Sequence, residues 1–140
     1  MVTCQDIMDV MEEIAPRHLA EEWDNPGLLV GSPAARVERV FVCLDVSDAA
    51  VAQAAACGAQ LIISHHPLIF RPLKALNTAE PLGRRIASLL AHGIAAFAAH
   101  TNLDIAEGGV NDVLARAVGL SHLSAFVITA QAADGHTQSQ

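Results

Sequence analysis

Short apolar runs that end in polar residues alternate with helix-period stretches along most of this chain. The first helical pattern spans Thr3 to Ala15, with Ile7, Val10, Met11 and Ile14 as its apolar stripe, Thr3 and Asp6 set for a capping box, and Pro16 past its end. Met8 and Met11 read as packing residues. Glu21 to Gly27 is turn chemistry around the single tryptophan, Trp23, and leads into a short strand, Leu28 to Val30, stopped by Gly31. Val40 to Leu44 is unbroken apolar sequence, which predicts a strand covered on both faces and ending at Asp45. Ser47 or Asp48 then caps a helix from Ala49 to Cys57, closed by Gly58. Leu61 to Ile63 is the next buried strand and ends in Ser64-His65-His66. A loop from Pro67 to Ala79 follows, and Pro81 starts a helix to His92, closed by Gly93. Ile94 to Ala99 forms a third buried strand ending at His100. A glycine-containing loop then leads to a helix from Asn111 to Val118, a strand from Ser124 to Thr129, and a polar tail from Gln131 to Gln140.

Strand and helix in strict alternation predict βαβ units and an α/β fold with a largely parallel sheet flanked by helices. Ligands of such sheets bind outside the carboxyl ends of the strands. Those ends here carry Asp45, then His65 and His66, then His100 with Asp104, while the strands themselves are apolar. The 140 residues make one domain with a real core. A net charge of −7 with no Lys/Arg cluster argues against nucleic acid held through phosphates. Acidic residues at 6, 9, 12 and 13 exclude a signal peptide, and no apolar run is long enough to cross a membrane. Cys4, Cys43 and Cys57, odd in number and without a CxxC spacing, read as reduced cysteines of a cytoplasmic protein. Trp23 reads as an anchor of its loop on the core, Asp24 and Asn25 as Asx-turn residues, Arg71 and Lys74 as solvated loop charges, and His92 as a helix-end cation.

His65, His66 and Asp104, with His100 nearby, offer nitrogen and carboxylate oxygen donors without sulfur. That set suits Zn, Mn, Fe or Ni rather than a closed structural zinc site. In extended backbone adjacent side chains point apart, so neighbouring histidines reach two metals, or one metal from a kinked turn. A metal pair roughly 3.5–4 Å apart would activate water and clamp a leaving group. It would also need a bridging carboxylate, which the downstream sequence does not offer.

Three blocks carry a family resemblance: Glu21-Glu22-Trp23-Asp24-Asn25-Pro26-Gly27-Leu28-Leu29-Val30-Gly31, Ser64-His65-His66-Pro67-Leu68-Ile69-Phe70, and Ala99-His100-Thr101-Asn102-Leu103-Asp104 followed by Gly108-Gly109-Val110-Asn111-Asp112. In order and spacing, from about Cys4 to Leu120, the chain resembles the Nif-three-like family, also called GTP cyclohydrolase 1 type 2 homologues. The resemblance implies that His65, His66 and Asp104 ligate a pair of divalent cations, that His100 supports them or touches substrate, and that the assembly is a toroidal homohexamer. It implies a likeness to metal-dependent hydrolases without naming a small-molecule substrate. Residues 1–120 then form the N-terminal α/β domain, and 121–140 a divergent final strand and partly disordered polar tail. Family chains complete the site with a C-terminal Gly-His-x-x-x-Glu. Here the tail reads Gly135-His136-Thr137-Gln138-Ser139-Gln140, with glutamine in the bridging position, so a shortened form with an incomplete site is expected. The alternative is a non-catalytic metal-binding or interaction subunit of an oligomer.

Overall fold

A computed structural model describes residues 1–124, and the backbone of 128–131 and 137–139. Helix α1 (Cys4–Ile14) opens with the full capping box: the Asp6 amide donates to Thr3 Oγ1, and the Thr3 amide donates to Asp6 Oδ2. After a 3₁₀ turn at Arg17–Leu19 come β1 (Gly27–Val30), β2 (Val40–Cys43), α2 (Asp48–Ala56), β3 (Leu61–Ser64), α3 (Pro81–Ala91), β4 (Ala95–Ala98), α4 (Thr101–Ile105) and α5 (Val110–Ala117). Ser47, not Asp48, caps α2, its side chain accepting from the Ala50 amide. Pro81 occupies the first turn of α3, as its missing N–H predicts. The helix α4 was not legible in the sequence, which suggests only a loop there.

The sheet order is β1-β4-β3-β2, with β2, β3 and β4 parallel and β1 antiparallel to β4. Side-chain alternation divides the core between the two faces. Ile62 and Ala96 pack with Val51, Ala54, Ile86 and Leu89 under α2 and α3. Leu61, Ala95 and Phe97 pack with Cys4, Ile7, Met8 and Met11 under α1. The small side chains of β4, Ala-Ala-Phe-Ala, let its neighbours approach closely. Gly31, at φ +104°, lies so near Ala95 that a Cβ there would meet the Ala95 Cβ at 2.7 Å.

One strand departs from expectation. The apolar run of β2 implied cover on both faces, yet β2 is the sheet edge, and Val42 is 73% exposed. Phe41 and Cys43 pack on the α2–α3 side, but α1 does not extend across to Val42 or to Leu44 beyond it. The strand expected at Ser124 to Thr129 falls partly outside the described residues. The backbone there gives β5 (Ile128–Gln131), paired antiparallel with β6 (Thr137–Ser139) inside the expected polar tail. His136 and Gln140 lie outside the described residues. No described helix is long and apolar enough to cross a membrane.

Candidate metal centre

Parallel register brings the strand ends level. Cys43 pairs with Ser64, and Ser64 with Ala98, so the residues just beyond β2, β3 and β4 emerge side by side. The amides of His65 and His66 continue the ladder, donating to the carbonyls of Cys43 (3.3 Å) and Leu44 (3.0 Å). Ser64 Oγ donates back to the His66 carbonyl at 2.9 Å, and the chain bends at the two histidines. The bend puts both rings on one side, with centroids 5.0 Å apart. The backbone at His65 and His66 is therefore bent rather than extended. His100, at the end of β4, closes the group at 5.0 Å from the His65 ring and 5.6 Å from that of His66.

One ring nitrogen from each of His65, His66 and His100 lies within 4.8 Å of the others. Each Nδ1 already has a partner: the Ala99 carbonyl for His65 (3.1 Å), Asp45 Oδ1 for His66 (2.8 Å) and Asp24 Oδ1 for His100 (2.9 Å). A carbonyl or an ionised carboxylate only accepts, so Nδ1 must carry the proton in the neutral rings. Every Nε2 is left with a free lone pair. Histidine ligands of metals are commonly held in this way, by a carboxylate or carbonyl on the far nitrogen. A tetrahedral ion with Zn–N bonds near 2.05 Å sets its ligands about 3.3 Å apart, so these rings need draw in only modestly. The residues present therefore fit a divalent cation. Asp104 stands at the edge of the group, its Oδ1 3.6 Å from His65 Nε2.

Asp24 is where the sequence reading falls short. Its side chain is fully buried, and it is more than a local turn former. Besides His100 it accepts from the Thr101 amide (3.0 Å), the Thr101 hydroxyl and the Asn25 amide. Burial pushes its carboxyl up, but these hydrogen bonds together outweigh that, and it stays below the usual carboxylate range. Its loop is tied down further by Glu21, whose backbone amide donates to Thr101 Oγ1, and by Asn25, whose side-chain Nδ2 donates to the Ile69 carbonyl at 2.6 Å. Trp23 does not anchor that loop in the core. It is 59% exposed, tilted against Phe70 and edge-on to His100. Beside it a cleft of about 460 Å³ opens, lined by Glu21, Trp23, Thr101, Asp104, Ile105 and Asn111. Asn102 is a strut: 3% exposed, its Nδ2 donates to the Ala15 carbonyl at the end of α1 and its Oδ1 accepts the His100 amide.

Residues 2–136 match the family described as Duf34/NIF3 (NGG1p interacting factor 3). The GTP cyclohydrolase 1 type 2 homolog of Bacillus subtilis is 44% identical over 128 residues, and that of Halalkalibacterium halodurans 41% over 125. These alignments cover 91% and 89% of this chain but 34% of either relative, so the chain spans about a third of their length. The crystal structure of a Bacillus cereus protein related to NIF3 superposes with a TM-score of 0.88 at 43% identity, over 92% of this chain and 35% of that one. A hypothetical protein of Staphylococcus aureus gives 0.86 at 38%, over 91% and 42%. With the sequence blocks, the fold and the family match in agreement, the chain belongs to the Duf34/NIF3 family.

Proposed function

We propose that this chain carries the core of a dinuclear divalent-metal centre resembling those of metal-dependent hydrolases, with His65, His66 and Asp104 as ligands. The observation that carries the reading is the shared arrangement of the imidazoles, each fixed at Nδ1 and open at Nε2. A divalent cation held there would supply Lewis-acid polarisation of a carbonyl or phosphoryl oxygen and would acidify water. The chain's own residues orient the donors: Ala99 and Asp45 set the His65 and His66 rings, and the bend at Ser64 turns both toward one point. The cleft beside Asp104 gives a small molecule access, with the Trp23 ring as one wall.

A second ion needs a bridging carboxylate. Among the described residues the carboxylates nearest the imidazoles are each directed at one ring: Asp24 at His100, Asp45 at His66 and Asp104 at His65. In this reading the bridge comes from outside the described residues. The same observation favours a second reading, a non-catalytic metal-binding subunit of a homo-oligomer. The exposed apolar residues on and just past β2 and α5, including Val42, Leu44, Val113, Leu114 and Val118, are surfaces such an assembly would cover. The three unpaired cysteines suit a cytoplasmic setting.

Elemental analysis of the purified protein tests the centre. At least one divalent ion per chain is expected, lost in His65→Ala and reduced in Asp104→Ala. Metal content equal in wild type and variants would remove these residues as ligands. Turnover of phosphoester, nucleotide or cyclic amide substrates by metal-loaded protein then separates the two readings: none on any panel leaves the binding subunit.

A further inference from the structure

The cleft beside Asp104 combines one open aromatic wall with polar groups that mostly accept hydrogen bonds. We propose that it takes a flat, donor-rich nitrogen base: an amino-substituted heteroaromatic ring laid against Trp23, with an N–H directed at Glu21. That such a ligand lies next to metal ions rests on the centre proposed above. At about 460 Å³ the cleft falls within the roughly 300–1,000 Å³ of small-molecule sites.

Trp23 supplies the surface. The only tryptophan of the chain is 59% exposed, although an indole gains much from burial. Its plane is nonetheless set by two neighbours, Phe70 at 5.9 Å and 60°, and His100 at 6.2 Å and 78°. Neither ring is parallel to the indole, so neither stacks on it. The backbone beneath is tied to Thr101 through the Glu21 amide and to Ile69 through Asn25 Nδ2. An indole held in place and left open is a stacking platform for a flat ring. It favours a cationic ring most, because its π face carries the negative end of the quadrupole.

The polar groups point to the same ligand. Thr101 is already committed: its hydroxyl donates to Asp24 and its oxygen accepts the Glu21 amide. Asn111 Nδ2 donates to the Asp104 carbonyl at 2.9 Å, and because a carbonyl only accepts, that bond fixes the amide and leaves Oδ1 uncommitted. What remains is two carboxylates and one amide oxygen, against one N–H of Asn111 and the indole N–H. Among the described residues no lysine or arginine lines the cleft. A bound ion would draw on Asp104, but Glu21 enters no ion pair among the described residues and stays available. A phosphate or carboxylate placed here would face Glu21 with no cation to offset it. N–H groups on a flat ring satisfy both walls.

The single tryptophan is its own reporter. Its fluorescence is titrated near pH 7 with 2-aminobenzimidazole, a cationic ring, and with benzimidazole-2-carboxylate, a similar ring of opposite charge. Both titrations are run on the protein as purified and again with EDTA. The amino ring should quench saturably in both conditions, and in EDTA at least tenfold more tightly than the carboxylate. Glu21→Gln keeps the size of a half-buried side chain, so it should weaken the amino ring about tenfold at an unchanged melting temperature. Trp23→Leu, read by calorimetry because the reporter is gone, should weaken it as much. The proposal is overturned if, in EDTA, the carboxylate ring binds as tightly as the amino ring, or if quenching rises without saturating. It is equally overturned if Glu21→Gln binds within twofold of wild type, or if EDTA abolishes binding, since the ring would then be a metal ligand only. Failure of the titration leaves metal content untouched, and a wild type that takes up no metal leaves the titration standing.

Discussion

Replacing Asn102 with alanine tests whether the site is braced by the fold or stands free of it. The Asn102 side chain makes two bonds in a buried setting, to the Ala15 carbonyl at 2.7 Å and from the His100 amide at 2.9 Å. The carbonyls at a helix end have no intrahelical donor, so the first bond satisfies an acceptor that α1 cannot. Each buried group left unpaired costs about 1–3 kcal/mol, so losing both predicts a destabilisation of about 4 kcal/mol. That is a large share of the roughly 5–15 kcal/mol that holds a domain together. With a urea slope of about 2 kcal/mol/M, the unfolding midpoint should fall by about 2 M. Asn102→Asp sharpens the test. It keeps an acceptor for His100 but sets a negative oxygen against the Ala15 carbonyl, so it should cost at least as much as alanine. A loss below about 1 kcal/mol in Asn102→Ala, or an aspartate variant as stable as wild type, would refute the bracing role.

Three further outcomes follow from the packing and the caps. Ile62 is fully buried at the sheet centre and Val42 sits uncovered at its edge. Ile62→Ala should lose about 3–4 kcal/mol in urea unfolding and Val42→Ala within about 0.5 kcal/mol. A Cβ on Gly109 would meet the Leu103 carbonyl oxygen at 2.0 Å and that of Ala106 at 2.7 Å. Gly109→Ala should therefore push α5 off α4, moving the amide resonances of Leu103 to Ala106 and costing about 1–3 kcal/mol. The Asp6 carboxyl is held below its ordinary value by hydrogen bonds from the Thr3 side chain and amide. A carboxyl depressed in the folded state contributes stability above its unfolded pKa and loses it as pH falls through the folded one. The Thr3 amide shift should therefore titrate below pH 3.8, and Asp6→Asn should abolish that titration.

Of the described helices, α1, α2, α3 and α5 were legible to within a residue or so because their signals are local, whereas the short α4 carries no such signal. Thr3 with Asp6, Ser47, and Pro81 mark starts by chemistry that acts within one turn. Strand cover was not legible in the same way. Val40 to Leu44 reads like a central strand, but an apolar run does not say how many neighbours the sheet supplies, and here β2 has one. At the site, the strand-end rule correctly placed His65, His66, His100 and Asp104 at one edge. It did not show the bend that Ser64 imposes, since that depends on where a hydroxyl points. Nor did it show Asp24 reaching His100. The acidic residue within Trp23-Asp24-Asn25-Pro26 was visible, but its partner is set by β1 lying beside β4.

With the proposed ion bound, the level ends of β2, β3 and β4 would also join two equilibria. The imidazole cluster and its acceptors come from residues 24, 45, 65–66 and 99–100, and they meet only when the strands are paired in register. An unfolded chain retains the neighbours His65 and His66 and little else of the cluster. An ion that binds the folded form alone at a hundred times its Kd adds about 2.7 kcal/mol to the stability of the whole sheet. Chelation would then lower the melting temperature of strands that touch no metal, and a core mutation such as Ile62→Ala would weaken apparent metal affinity once it leaves the folded state a minority. In the proposed centre, ion occupancy and strand pairing would be two readings of one equilibrium.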